Sequence, residues 1–214
     1  MKLQISQENL SKAVSLASRF TSTRAQLPIL GNILLTVSKS KLNISSTNLE
    51  VSVSSSLTVK VEKEGEISVP SKVLSEVVSN LSKEILTLEA DKEQLKISTP
   101  TFNSKVLGMN TSDFPKIPTS INKDKSVSIS SEKLFEALSK VLFATSVDET
   151  RPLLTGVLFL LDKDSLTIVA TDGFRLSRKK IKLEGYKGGD MKVVIPKFVL
   201  SEIGRSSDES EVSF

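Results

Sequence analysis

The chain has 214 residues, 38% of them hydrophobic and 25% charged, with 29 basic against 25 acidic side chains and a net charge of +4. That length accommodates two domains of ordinary size, and no apolar run is long enough to span a membrane. The absence of cysteine and histidine excludes disulfides, thiolate nucleophiles, the usual zinc clusters and any histidine base.

Period-2 alternation begins at once in Met1-Lys2-Leu3-Gln4-Ile5, without an apolar leader or cleavage site, so the cytoplasm is the expected compartment. A helix follows from about Gln7 to Phe20, capped by Ser6, with Leu10, Ala13, Val14 and Ala17 on its inner face. Leu27-Pro28-Ile29-Leu30-Gly31-Asn32 reads as a proline-fixed turn into a buried strand. Strands are expected at 33–37, 41–45, 51–53 and 57–61, where β-branched residues alternate. Pro70 opens a second helix with Leu74, Val77, Val78 and Leu81 inward. Ile85, Leu86 and Leu88 then start another strand, and an edge strand is expected at about 102–108. Prolines and turn formers from Asn110 to Pro118, with the charged run Asn122-Lys123-Asp124-Lys125, mark a linker between domains 1–121 and 126–214.

Beyond the linker the sequence repeats itself. Ile5-Ser6-x-Glu8-x-Leu10 returns as Ile129-Ser130-x-Glu132-x-Leu134, Pro28-x-Leu30 as Pro152-x-Leu154, and Leu42-x-Ile44-x-x-Thr47 as Leu166-x-Ile168-x-x-Thr171. Roughly 15 of about 43 positions are identical at one constant offset, more than composition explains. After a two-residue insertion, Ile67-Ser68-Val69-Pro70 maps onto Val193-Val194-Ile195-Pro196. The second copy therefore has a helix after Ser130, carrying Leu134, Ala137, Leu138 and Val141, and another after Pro196, carrying Val199, Leu200 and Ile203. A fainter echo within the first copy, Leu10-Ser11-x-x-Val14 against Leu74-Ser75-x-x-Val78, points to a doubled half-unit. The expected class is α+β: repeated β-α-β-β-β half-units with helices on one face of antiparallel sheets. Phe214 falls on Leu88, so the second domain is expected to be incomplete at its C-terminus, with a strand cut partway.

Lys12 and Arg19 stand seven residues apart, as do Lys133 and Lys140, so each pair shares a helix face. With Lys72, Lys197 and Arg205 they form a basic stripe suited to phosphates if the four helices share a surface. The other reading is an ordinary solvent face, with Glu8, Glu76, Glu132, Glu136 and Glu202 interspersed. Arg24 is a loop cation. Asp172-Gly173 sits between two β-compatible runs as a hairpin turn, and Thr171 and Gly173 beside Leu154, Phe174 and Leu176 also suit the floor of a shallow pocket. The carboxylates Asp162 with Asp164, and Asp208 with Glu209 and Glu211, lie in polar turns with no apolar pocket, and Gly188-Gly189 reads as a turn. No catalytic group, metal or cofactor is expected.

Leu-Pro-Ile-Leu-Gly-Asn at 27–32, Ser-Asp-Phe-Pro at 112–115, Arg151 with Gly156, and Ala-Thr-Asp-Gly-Phe-Arg-Leu at 170–176 resemble the motifs of the bacterial sliding clamp, the beta subunit of DNA polymerase III. The resemblance spans the chain and implies the DNA clamp fold and a non-enzymatic processivity factor. It implies a ring of two three-domain chains around double-stranded DNA, with a third domain that this sequence lacks. By the same resemblance Arg24 and Lys197 contact DNA. Leu154, Thr171, Gly173, Phe174, Arg175 and Leu176 form half of a pocket for short linear motifs of the polymerase alpha subunit and the clamp loader. Phe102, Lys105 and Val106 lie at the edge that closes the homodimer. Phe174 departs from a histidine common in some members, and Pro152-Leu153 from tyrosines. The alternative is a stand-alone DNA-binding or protein-interaction module that forms no ring.

Overall fold

The computed structural model describes residues 1–22, 27–118, 126–183, 189–205 and 210–214. Arg24, the expected linker at 122–125, Gly188, and Asp208 with Glu209 lie outside these residues. The chain divides into two compact units, Met1–Thr119 and Ser120–Phe214.

Unit 1 opens with β1 (Lys2–Ser6) and α1 (Gln7–Ser18). Ser6 holds an extended backbone, and its hydroxyl accepts from the Asn9 amide at 3.4 Å, which caps the helix. The helix ends two residues before the expected Phe20, because the amides of Arg19 and Phe20 turn back to Leu16 and Ala17 in a tightened last turn. Next come β2 (Asn32–Ser38), β3 (Lys41–Thr47), β4 (Ser52–Thr58), β5 (Lys60–Lys63), β6 (Gly65–Pro70), α2 (Ser71–Ser79), β7 (Ile85–Asp91), β8 (Gln94–Ser98) and β9 (Asn103–Leu107). They form two antiparallel sheets, ordered β5-β1-β7-β8-β9 and β4-β3-β2-β6. Leaving β5 aside, the order is two β-α-β-β-β half-units in succession.

The strands expected at 51–53 and 57–61 are divided differently. β4 runs unbroken through Ser54-Ser55-Ser56, each paired with β3, and the break falls at Val59, whose amide donates to the Ser40 carbonyl. Ladder pairing and the packing of Val53 and Leu57 against the core outweigh the weak strand preference of serine. Leu3, Leu10, Ile33, Leu35, Leu42, Ile44, Ile67 and Leu88 are fully buried there. After β9 the chain crosses β6, where the Met109 amide donates to the Ser68 carbonyl at 2.8 Å. A Cβ on Gly108 would lie 2.4 Å from that carbonyl oxygen, so the approach requires glycine.

Unit 2 repeats the plan with β10 (Ser128–Ser130), α3 (Ser131–Ser139), β11 (Gly156–Asp162), β12 (Ser165–Thr171), β13 (Leu176–Lys182), β14 (Met191–Pro196), α4 (Lys197–Arg205) and β15 (Glu211–Ser213). Its four-stranded sheet, β13-β12-β11-β14, reproduces β4-β3-β2-β6. The repeat holds to the register: Ile129 faces Val212 as Ile5 faces Leu86. Phe214 and Val127 exchange both backbone hydrogen bonds, at 3.0 and 2.9 Å, and the Phe214 ring lies 5.5 Å from that of Phe159. The last strand is therefore paired and packed on the β10 side. The described residues of unit 2 hold no counterpart of β8 or β9.

Candidate functional site

In unit 1 the two helices lie side by side. The Gln7 side-chain amide donates to the Val78 carbonyl at 2.8 Å, and the Thr21 hydroxyl meets that of Ser71 at 3.5 Å, so α1 and α2 run antiparallel. Lys12, Arg19 and Lys72 stand on their exposed sides. Glu8, one turn before Lys12, is tied instead to Lys83 at 2.9 Å, and that hydrogen bond holds its carboxyl below the ordinary range. Lys12 and Lys72 make no ion pair among the described residues.

Unit 2 does not repeat this chemistry. Lys133 is exposed in the first turn of α3, but Lys140 is hydrogen-bonded to Glu136, which raises the lysine pKa and lowers that of the glutamate. Lys179 approaches the same carboxylate at 3.5 Å. Lys197 is half-buried at the start of α4, and exposed Phe198 occupies the place that Lys72 has in unit 1. Arg205 ends α4, with its side chain outside the described residues. Of the cations expected to form a stripe, Lys12, Arg19 and Lys72 are thus exposed in unit 1, whereas Lys140 in unit 2 is paired with Glu136.

The apolar candidates come together in unit 2 around the turn from Asp172 to Arg175 between β12 and β13. One Asp172 carboxylate oxygen accepts the amides of Phe174 and Arg175, both at 3.0 Å, and the other accepts Arg175 Nε at 2.9 Å. These bonds, the Arg175 amide foremost, lower its pKa to about 2. The Thr171 hydroxyl accepts the Gly173 amide and donates to the Arg175 carbonyl, while Gly173 takes a φ of 95°. The turn is thus fixed by its own side chains. It holds Phe174 at 96% exposure and Leu176 at 65%, large values for apolar residues. Leu154 and Thr171 are half-buried.

Four further residues complete this patch. The Arg175 guanidinium lies 5.6 Å over the Phe143 ring. The Ser146 amide donates to the Leu154 carbonyl, which sets the adjoining Val147, 89% exposed, next to that loop, where Leu153 is also exposed. Arg151, held by Asp148 at 3.0 Å, places a guanidinium nitrogen 3.4 Å from where a Gly173 Cβ would stand. Neither Phe143 nor Val147 carries a sequence signal, since a single apolar residue in a loop shows no periodicity.

At the expected ring edge, β9 pairs only with β8 among the described residues. The Gly108 amide donates to Glu93, and strict alternation in an antiparallel ladder then turns the backbones of Asn103, Lys105 and Leu107 outward. Phe102, Lys105 and Leu107 are exposed, whereas the Val106 side chain is 3% exposed and belongs to the core of unit 1. Val106 thus has a structural role there, because the pleat sends every second side chain inward. Asp162 and Asp164 flank the β11–β12 turn, and no cluster of metal-ligating groups occurs among the described residues. Among the described residues no helix is long and apolar enough to cross a membrane.

Residues 1–118 match the family model of the DNA polymerase III beta subunit, N-terminal domain, and residues 128–213 that of its central domain. The beta sliding clamp of Synechocystis sp. is 35% identical over 225 residues, which cover 96% of this chain and 57% of that protein. Among solved structures, the DNA polymerase sliding clamp of Bacillus subtilis superposes with a TM-score of 0.90 at 26% identity, covering all of this chain and 58% of that one. The clamp of Bartonella birtlesii bound to griselimycin also gives 0.90, at 26% identity, with 100% and 59% covered. The chain spans a little over half the length of these relatives. Two successive family domains, in order and over nearly every residue, show that this chain belongs to the DNA polymerase III beta subunit family, the bacterial beta sliding clamps.

Proposed function

We propose that the chain acts as a sliding clamp, a non-catalytic processivity factor that holds the replicative polymerase on double-stranded DNA in the cytoplasm. The observation that carries this reading is the doubled β-α-β-β-β unit whose first helix pair turns Lys12, Arg19 and Lys72 to solvent. Cations on helix surfaces neutralise phosphates without reading bases, which is what a sliding contact requires. In the assembled homodimeric ring the helices face the duplex, and Arg24, Lys133, Lys197 and Arg205 add to the contact, with a smaller share from Lys140, whose charge is offset by Glu136. Encirclement lets each contact be weak, because the ring supplies a high effective concentration of polymerase at the primer end.

The apolar patch at Leu154, Thr171, Gly173, Phe174, Arg175 and Leu176 takes short linear motifs of the polymerase alpha subunit and the clamp loader. The free edge of β9, with Phe102 and Lys105 flanking its outward backbone, serves ring closure by strand pairing. The test is fluorescence anisotropy of two unrelated duplex oligonucleotides across a salt series. Both duplexes should bind with equal, modest affinity that falls steeply with salt, and Lys12→Glu should reduce the log–log salt slope by about 1. Sequence-selective, salt-resistant binding would overturn the sliding reading.

A further inference from the structure

Equivalent sheets in the two units carry different chemistry on their outer faces. In unit 1, Ser52, Ser54 and Ser56 of β4 are exposed on the face away from the core, opposite Thr47, Ser45 and Asn43 of β3. The same face of unit 2 carries Arg178, Lys180 and Lys182 along β13, with the buried Ile181 pointing the other way. Across the sheet, Arg178 aligns with Val169 and Leu158, and Lys180 with Thr167, Leu160 and then Lys192 of β14. Val169, Leu158 and Leu160 are half-exposed there.

The three β13 cations and Lys192 are exposed, and none makes an ion pair among the described residues. Lys179, on the opposite face, is the strand's one cation that meets a carboxylate, at Glu136. Alternate residues of a strand stand about 7 Å apart, so the row forms a straight line of charge. Blunting of a sheet edge does not account for it, because β4 is the equivalent edge and carries serines. The row also starts at Leu176, whose side chain shares this face and belongs to the apolar patch. A segment seated on Leu176 and Phe174 therefore continues onto these cations, beside Val169, Thr167 and Ser165 of β12. No strand residue of this face is aromatic, so bases would find no ring to stack on.

We propose that the outer face of β13 binds an acidic stretch flanking the apolar motif of a partner peptide, so that the ligand class is a linear segment with an apolar anchor and a run of aspartate or glutamate beside it. This rests on the peptide-site reading above. Two labelled synthetic peptides test it on the intact chain, each carrying Leu-Leu-Phe, one flanked on both sides by four glutamates and the other by four serines. At about 50 mM salt the acidic peptide should bind about tenfold more tightly, and the gap should close at high salt. Lys180→Glu with Lys182→Glu, and in parallel the milder Lys180→Gln with Lys182→Gln, should remove that gap and leave the serine-flanked peptide unchanged. Equal binding of the two peptides by the unaltered chain, or equal weakening of both by the lysine changes, would overturn the proposal while leaving the anchor site standing. A serine-flanked peptide that fails to bind, or that ignores Phe174→Ala, would instead remove the peptide-site reading itself. Displacement of the acidic peptide by duplex DNA, abolished by the same lysine changes, would assign the row to nucleic acid and overturn the proposal too.

Discussion

β6 of unit 1 and β14 of unit 2 occupy the same place in the repeat, yet one is sealed and the other open. Ile67 and Val69 are almost wholly buried in β6, while Val193, the equivalent of Ile67, is 39% exposed. The difference lies in what crosses the strand. In unit 1, β8, β9 and Gly108-Met109 pack on β6, and no described residue of unit 2 takes their place. Equal sequence patterns thus yield unequal burial, because an apolar residue is removed from water only by what packs over it.

The loops after β3 and β12 differ in a second way. Asn48 accepts the amides of Glu50 and Val51 as Asp172 accepts those of Phe174 and Arg175, and Thr47 plays the part of Thr171. Leu49 carries the positive φ, 75°, that Gly173 carries in unit 2. Unit 1 thus holds this turn with a neutral side chain and a strained leucine, and unit 2 with a charged side chain and a relaxed glycine. In unit 2 the charge adds the bond to Arg175 Nε, and so steers that guanidinium onto Phe143.

The contrast in burial gives the largest expected effect. Ile67→Ala should destabilise unit 1 by about 2–5 kcal/mol, whereas Val193→Ala should cost unit 2 under about 1 kcal/mol, since much of that side chain is already wet. Urea unfolding followed by probes placed in each unit checks this, and equal losses would break the comparison. In the turns, Leu49→Gly should raise the stability of unit 1 by about 0.5–1 kcal/mol, the relief of positive φ being partly offset by the looser unfolded chain. Gly173→Ala should lower that of unit 2 by about 1 kcal/mol, and opposite signs in thermal melts are the diagnostic.

The smallest effect concerns acid. Asp172 has a folded pKa near 2, below the ordinary value of about 3.9. Its stabilising bonds are therefore fully present above about pH 4 and are lost as pH falls through the folded pKa. Asp172→Asn keeps the amide bonds, drops the one to Arg175 Nε and should flatten the acid limb of the melting curve between about pH 4 and 2. An unchanged limb would show that the charge does not distinguish the two turns.

Much of the fold was legible in the residues themselves. Ser6 and Ser130 as caps, Pro70 and Pro196 before α2 and α4, and the 3.6-residue spacing of Leu10, Ala13, Val14 and Ala17 all act locally, so they read directly from the chain. The doubling was equally plain, because similar strings of side chains fold into similar registers. The patch was partly legible: the turn residues at 171–176 announce themselves, but Phe143 and Val147 join them only through contacts made across the fold.

The chain's own sequence determined the α+β class, the four helices with their inner faces, the repeated unit and the absence of cysteine and histidine chemistry, since each depends on spacing or composition alone. Tertiary structure decided the unbroken β4, the inward direction of Val106, the neutralisation of Lys140 by Glu136 and the exposure of Val193. Those depend on which strand or side chain arrives from far along the chain, and no local pattern encodes that arrival.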